Sequence, residues 1–312
     1  MVRDAIKETL DAVEDKLHRV VQSDVTVLND ASHHIIESGG KRMRPRLVFL
    51  SYLAAGGVDP AVIVPLAAAI ELVHTATLVH DDINDHSLTR RGKIAVHARW
   101  GRTFALLTGD YLFAKVYEMM APYGDRINTI MADATVELVE GETLQAAAAK
   151  SGQMDRETYK KIIALKTASL FRAAGEMGAI LADADDDVVE AVRDYGYYLG
   201  LAFQIVDDIL DIVGDPEKLG KPIGADLNQG TGAIAVHNGR RSAHSDVSVA
   251  EAEKDPFQQM LIRLRESGAV EVARSEAEEM AERARDALER IPDSPARQEL
   301  NYLIDAVLER ER

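Results

Sequence analysis

Residues 74–85 read His-Thr-Ala-Thr-Leu-Val-His-Asp-Asp-Ile-Asn-Asp. With a helical period, Asp81, Asp82 and Asp85 share one face with His74. Like charges this close repel one another, so the cluster is favourable only when a cation binds between the carboxylates. Oxygen ligands of this kind suit a hard divalent ion, and Mg²⁺ typically completes its shell with water and substrate phosphates. The stretch therefore predicts a helix whose end holds Mg²⁺.

The same acidic pattern returns as Asp207, Asp208 and Asp211, inside an apolar helix predicted over residues 195–213. One Asp-Asp-x-x-Asp pattern could equally be a solvated helix end. Two such patterns on two apolar helices indicate facing carboxylate sets with metal ions between them.

Composition limits the class of protein. The 312 residues are 46% hydrophobic and 5% aromatic, which favours helices over a sandwich or barrel. With 36 Lys and Arg against 52 Asp and Glu, the net charge is −16, so nucleic acid is not expected as a partner. The absence of cysteine excludes disulfides and thiolate metal sites. The N-terminus does not resemble a signal peptide, and apolar runs such as residues 61–70 are short for a bilayer, so we expect a cytoplasmic protein without a transmembrane segment.

Hydrophobic periodicity predicts helices along nearly the whole chain, as one domain over residues 1–312. The predicted helices cover residues 4–22, 24–38, 46–55, 59–85, 102–120, 125–149, 155–182 and 195–213, with amphipathic helices after residue 247. Residues 95–100 are predicted as an irregular link. Residues 228–246 are rich in Gly, Asn, Ser and Arg, which indicates a mobile loop.

Two basic segments stand out in this acidic chain. Lys41, Arg42 and Arg44 follow two glycines and precede a helix, and residues 90–93 follow the first acidic motif. Cations beside a helix start suit a phosphate group, although a solvated basic turn has the same pattern. Metal ions on the carboxylates and arginines from the second segment could bind one diphosphate from two sides.

The motifs together resemble a known family. Gly-Gly-Lys-Arg-x-Arg-Pro, Asp-Asp-x-x-Asp, Arg-Arg-Gly, Lys-Thr, Phe-Gln-x-x-Asp-Asp-x-x-Asp and Gly-Lys, in this order over about residues 35–227, resemble the trans (head-to-tail) polyprenyl diphosphate synthases. The resemblance implies an all-α helical bundle around a deep central cavity, usually a homodimer. It implies a prenyltransferase that condenses isopentenyl diphosphate with an allylic diphosphate by Mg²⁺-assisted ionisation.

The resemblance also implies roles for individual residues. Mg²⁺ on the allylic diphosphate would be held by Asp81, Asp82, Asp85, Asp207, Asp208 and Asp211. The allylic diphosphate would contact Arg90, Lys166, Gln204 and Lys221. Isopentenyl diphosphate would contact Lys41, Arg44, His74 and Arg91, and Thr167 of the Lys-Thr pair would also bind substrate. Thr231 and Ile94 depart from the family pattern, and the first departure removes or replaces a cationic phosphate contact.

The length of the product is predicted from the residues below the first motif. Short-chain members of the family tend to carry bulky aromatics at the positions of Ala76 and Thr77, with Val73 a further turn down. The small residues here predict a product of geranylgeranyl length or longer. The same residues would also allow close helix packing, with the stop supplied by another helix at Leu107, Leu144 or Met177. A class I terpene cyclase and a non-catalytic regulatory subunit stay open as alternative functions.

Overall fold

Apolar positions at helical spacing fold most of the described chain, residues 2–213 and 268–311 of a computed structural model, into α-helices. In chain order they are α1 (Val2–Val20), α2 (Thr26–Ile36), α3 (Met43–Ala54), α4 (Val64–Asn84), α5 (Val96–Trp100), α6 (Arg102–Met120), α7 (Asp125–Ser151), α8 (Arg156–Ile163), α9 (Ser169–Leu181), α10 (Asp186–Val213), α11 (Ala269–Glu289) and α12 (Pro295–Leu308). The predicted all-α class is confirmed.

Short irregular elements connect these helices. Turns of 3₁₀-helix lie at Pro60–Val62 and Glu309–Glu311, and a π-helical turn, Ala164–Ala168, joins α8 to α9. The strands β1 (Thr89–Arg90) and β2 (Lys93–Ile94) form an antiparallel hairpin.

The helices pack in two groups that share one hydrophobic core. α4 packs extensively against α6, whereas α9 packs against α7 and α10, and α10 packs against α11. α3 contacts both α4 and α9, which meet each other only slightly. The acidic end of α4 and the acidic end of α10 therefore belong to different groups of helices.

α4 is more apolar than the length of its uninterrupted runs suggested. The segment Pro60–Asn84 is long and apolar enough to cross a membrane, with a mean hydropathy of 1.9 over its most apolar window, but 72% of that window is buried in the bundle. The expectation that the apolar runs are too short to span a bilayer was therefore wrong for this segment. Burial by neighbouring helices is what a core helix shows.

Several helix boundaries differ from those expected, and α10 begins at Asp186 rather than at residue 195. Residues 95–100 are not an irregular link, because Val96–Trp100 forms α5, which ends at Gly101 with a φ of 90°. α3 begins at Met43, so Arg44 lies in its first turn. A π-helical turn interrupts the helix predicted over residues 155–182. The expected mobile loop, residues 228–246, lies outside the described residues.

Candidate active site

The first acidic motif lies at the C-terminal end of α4, where the helix emerges from the core. Asp82 is buried, Asp81 is half-buried and Asp85, the C-cap, is exposed. Burial raises the pKa of Asp81 to about 7, and Glu142 and Asp85 add to this shift while Lys166 and Arg90 oppose it. A carboxyl group so destabilised in its charged form is a favourable place for a cation.

The hairpin brings Arg90 to this motif. Arg91 and Gly92 both have positive φ, of 50° and 77°, as a tight two-residue turn requires. Nε and Nη2 of Arg90 then donate to Oδ1 of Asp82 at 2.9 and 2.5 Å. Burial raises the pKa of Asp82 although Arg90 opposes the shift, and Oδ2 of Asp82 is buried without a hydrogen-bond partner among the described residues.

The cations between Lys41 and Arg46, at the start of α3, fall into two groups: some pair with carboxylates of the fold and the others do not. Arg42 donates to Glu71 at 2.9 Å and to Glu14, and it therefore joins α3 to α4 and α1. Arg46 pairs with Glu299 of α12 at 3.5 Å. Lys41 and Arg44 are the other two cations of this segment, and neither forms an ion pair with a carboxylate within 4.0 Å among the described residues.

Arg44, which is buried, forms a basic cluster with half-buried His74 and exposed Arg91. The Arg44 guanidinium lies 4.9 Å from the centre of the Phe171 ring, and burial lowers its pKa to about 10. Burial and the neighbouring arginines hold the pKa of His74 well below its usual range, so the imidazole is neutral. Buried cations at the first turn of a helix are suited to binding an anion.

The glycines before the basic turn have a specific use. Arg91 donates to the carbonyl oxygen of Gly39, and a Cβ at Gly40 would lie 2.6 Å from Nη1 of Arg91. A side chain at position 40 would displace the guanidinium, whereas Gly39 has open space around it and a φ of 77°. Gly40 therefore leaves the space that the Arg91 guanidinium occupies.

On the facing group of helices, Lys166 projects from the π-helical turn. Its Nζ donates to Glu142 at 2.8 Å and to Gln145 at 2.9 Å, both on α7. Burial lowers the pKa of Lys166, but Glu142 and Asp81 raise it by more, so the ammonium stays charged. A Cβ at Gly141 would lie 2.5 Å from the backbone nitrogen of Lys166, so the close approach of α7 requires that glycine.

The second acidic motif is linked to this turn by side-chain hydrogen bonds. Thr167 Oγ1 donates to Gln204 Oε1 at 2.7 Å, and Gln204 Nε2 donates to Asp208 Oδ1 at 2.9 Å. Tyr159 OH donates to Asp208 Oδ2 at 2.6 Å. Through Lys166 and Thr167, the π-helical turn therefore contacts the surroundings of both acidic motifs.

The C-terminal 3₁₀ turn also reaches the site. Arg310 pairs with Asp207 at 2.6 Å, and its guanidinium lies 4.7 Å from the centre of the Phe203 ring. Burial and nearby Arg310 lower the pKa of Lys41, while Asp207 raises it. Lys41, Asp207 and Arg310 therefore lie close together, which places the basic turn beside the second acidic motif.

The donor set fits a divalent metal ion that a substrate helps to bind. Among the residues that the structure describes, no three carboxylate or imidazole groups converge closely enough to enclose a metal ion on their own. Asp81, Asp85 and Asp207 offer oxygen ligands in a basic environment, so phosphate oxygens would supply the remaining ligands. Lys221 and Thr231 lie outside the described residues.

Four residues at the site were not assigned roles from the sequence. They are Glu142, Gln145, Tyr159 and Arg310. Glu142 and Gln145 follow Gly141 on one helix and could have been flagged as polar groups on an apolar face. Tyr159 and Arg310 carry no local pattern, because their partners are distant in sequence.

Fold and site together define a helical protein in which two acidic motifs lie beside clusters of basic side chains. The polyprenyl synthetase family model matches residues 25–259, and the chain belongs to this family. It is therefore a transferase of prenyl groups.

The individual relatives differ in the product that they are named for. The short chain isoprenyl diphosphate synthase of Methanothermobacter thermautotrophicus is 37% identical over 99% of each chain. The octaprenyl diphosphate synthase of Escherichia coli is 36% identical over 94% of this chain and 93% of its own. The solved structure of polyprenyl synthase from Caulobacter crescentus CB15, complexed with calcium and isoprenyl diphosphate, has a TM-score of 0.90 at 34% identity, covering 99% of this chain and 98% of that one.

Proposed function

We propose that this protein condenses isopentenyl diphosphate with an allylic diphosphate and releases an all-trans polyprenyl diphosphate of geranylgeranyl length or longer. The observation that carries the proposal is the placement of the acidic motifs beside basic side chains, with Asp81 destabilised in its charged form. Asp81 lies close to Lys166, and Asp207 lies close to Lys41 and Arg44. Each acidic motif is thus adjacent to cations that could bind a diphosphate.

The metal ligands would be the outer aspartates of each motif. Asp81 with Asp85, and Asp207 with Asp211, are four residues apart and so lie on one helix face. Asp82 and Asp208 would instead orient Arg90 and α10, because they are buried and accept hydrogen bonds from the protein. Asp207 also pairs with Arg310, but its side chain is 37% exposed and so stays accessible to a metal ion. Mg²⁺ bound at these carboxylates would offset the charge that develops on a departing diphosphate. Calcium in the Caulobacter relative supports a divalent ion here.

The bases divide between the two substrates in this proposal. Arg90, Lys166, Gln204 and Lys221 would bind the allylic diphosphate and stabilise it as the C–O bond breaks. Lys41, Arg44, His74 and Arg91 would hold isopentenyl diphosphate, whose double bond attacks the allylic cation to form the new C–C bond. A proton is then lost to the departing diphosphate. Apolar surroundings exclude water from the cation, so no protein nucleophile is needed.

The test is a product assay on the purified chain. Labelled isopentenyl diphosphate with farnesyl diphosphate and Mg²⁺ is expected to give labelled prenyl diphosphates of at least geranylgeranyl length. Hydrocarbon formed from farnesyl diphosphate alone would identify a terpene cyclase. No elongation unless a second protein is added would identify a subunit that depends on a partner.

The product length rests on the residues below Asp81. Thr77 is 7% exposed, whereas Val73 and Ala76 are 1% and 0% exposed. The small side chain of Thr77 would leave room for an alkyl chain on the Asp81 face, which supports a product beyond farnesyl. The relatives include one named for short-chain products and one named for an octaprenyl product, so their names do not fix the product length.

We also propose that the enzyme is a cytoplasmic homodimer of single-domain subunits. The described helices share one hydrophobic core, which supports one domain over residues 1–312. Exposed apolar side chains on α6 and α7 support a self-association surface, which consists of Phe104, Leu107, Tyr117, Val136 and Val139. The net charge of −16 supports a partner set without nucleic acid.

A further inference from the structure

The carboxylate of Asp208 receives a hydrogen bond from the protein on each oxygen. Gln204 donates to Oδ1 at 2.9 Å and Tyr159 donates to Oδ2 at 2.6 Å. Asp208 is 5% exposed and Tyr159 is 4% exposed, so water has little access to either group. A buried carboxylate held at both oxygens is fixed in orientation, and the helix that carries it is fixed with it.

Tyr159 reaches Asp208 because α8 has a defined rotation. The Asp155 side chain accepts a hydrogen bond from the Thr158 nitrogen at 2.7 Å and so caps the helix. Tyr159, Ile162 and Ile163 form its buried face, three and four residues apart. The apolar contacts of this face therefore aim the tyrosine hydroxyl at α10.

We propose that Tyr159 is a positioning residue for the second metal site: its hydroxyl holds Asp208 and thereby sets the direction of Asp207 and Asp211. The inference rests on the proposed function, in which these outer aspartates bind Mg²⁺. Asp207 and Asp211 share a face of α10, and Asp208 is displaced from Asp207 by about 100° around the helix axis. A rotation of α10 at Asp208 would therefore move both ligands together.

Two further observations agree with this role. Burial and the charge of Asp208 raise the pKa of Tyr159 well above its usual range, so the hydroxyl keeps its proton and acts as the donor. Gln204, the other partner of Asp208, accepts from Thr167 in the same turn as Lys166. The hydrogen bonds of Asp208 therefore connect the direction of α10 to the turn that carries Lys166.

The test compares Tyr159→Phe with Tyr195→Phe, which serves as a matched control. Tyr195 lies on α10, is fully buried and donates to the Leu300 carbonyl at 2.7 Å, so its variant also loses one buried hydroxyl hydrogen bond. Binding of Mn²⁺ in the presence of inorganic diphosphate is followed by electron paramagnetic resonance of free Mn²⁺, and Tm is measured by calorimetry. Tyr159→Phe is expected to weaken Mn²⁺ binding about tenfold or more, as loss of an outer-shell partner does. Tyr195→Phe is expected to lower Tm comparably and bind Mn²⁺ like the wild type.

Equal Mn²⁺ affinity of the two variants would overturn the role of Tyr159. Asp207→Ala tests the underlying site: if it binds Mn²⁺ and diphosphate as the wild type does, the proposed metal site fails and the inference fails with it. Should Tyr159→Phe not fold, Tyr159→His supplies the test, because it keeps a ring but is too short to place a donor where the tyrosine hydroxyl lies. Weaker Mn²⁺ binding by Tyr159→His than by Tyr195→Phe supports the role, and binding like that of the wild type overturns it.

Discussion

Within each acidic motif, the three aspartates have different surroundings. The middle residues, Asp82 and Asp208, are buried and bound by protein donors. Asp81 is left beside Lys166 with a pKa raised to about 7 by burial and by neighbouring carboxylates. In the second motif Asp211 is buried as well, at 2% exposed, and Asp207 pairs with Arg310, so the division is clearer in the first motif.

The raised pKa of Asp81 leads to a prediction for the metal-free protein. An unfolded aspartate titrates near about 3.9, so between about pH 4 and 7 the folded state keeps a proton that the unfolded state has lost. The free energy of unfolding therefore falls as pH rises through this window. In EDTA at pH 8, Asp81→Asn is expected to raise Tm, because it removes a charged carboxylate that burial destabilises. The rise should be about 2 to 4 °C for each kcal/mol gained in the free energy of unfolding.

Calorimetry between pH 4 and 8 checks this expectation. The advantage of Asp81→Asn should disappear towards pH 4, where the wild-type carboxyl is also neutral. Asp133→Asn, an exposed aspartate on α7, is the control and should change Tm little at any pH. A Tm difference between Asp81→Asn and wild type that does not depend on pH would contradict the raised pKa.

The two basic sites should be separable by kinetics. Lys41 lies near Asp207 and Arg310, whereas Lys166 lies near Asp81 and Glu142. Lys41→Ala is expected to raise the KM for isopentenyl diphosphate, and Lys166→Ala the KM for the allylic substrate, each by about tenfold or more, as the loss of a charged hydrogen bond does. Steady-state measurements with each substrate varied in turn check this. Equal effects on both KM values in both variants would refute the assignment.

At the scale of elements, α4 limits which residues could stop a growing chain. Ala76 lies one turn before His80, and His80 Nε2 lies 3.2 Å from the Leu106 carbonyl oxygen of α6. The His80 ring also lies against Gly109, where a Cβ would collide with it. Ala76 is fully buried on this same face. The face of α4 that carries Ala76 therefore packs closely against α6.

Substitutions of Ala76 and of Thr77 should consequently have different effects. Thr77→Phe is expected to shorten the longest product while the first condensation continues, because residue 77 lies nearer than Ala76 to the Asp81 face. Ala76→Phe is expected to destabilise the protein by about 1 to 3 kcal/mol through overpacking. Product ladders from labelled isopentenyl diphosphate, together with Tm values, check both. An unchanged ladder in Thr77→Phe would place the tunnel elsewhere.

At the scale of the whole molecule, local patterns could be predicted and long-range partners could not. The acidic motifs and the basic turn are contiguous in sequence, so charge and period were enough to find them. The three cations of the first basic segment looked alike, yet Arg42 binds structural carboxylates, whereas Lys41 and Arg44 lie near Asp207. The contacts of Lys166 with Glu142 and of Tyr159 with Asp208 join residues 24 and 49 positions apart, and only packing of the helices brings them together.

The exposed apolar side chains of α6 and α7 lead to a prediction about assembly. Leu107 is 50% exposed and Val136 is 57% exposed, on faces opposite those that contact the core. Apolar surface of this kind is unfavourable in water unless another molecule covers it, and self-association buries it on both copies at once.

Leu107→Arg and Val136→Arg are expected to convert a dimer to monomers, because an unpaired charge would be buried at the interface. Val272→Arg is the matched control, since Val272 is a helical valine with a similar exposure of 54% on α11. Analytical ultracentrifugation should detect dimers of the wild type and of the control and monomers of the other two variants. A monomeric wild type, or dissociation by the control alone, would show that α6 and α7 do not form the interface.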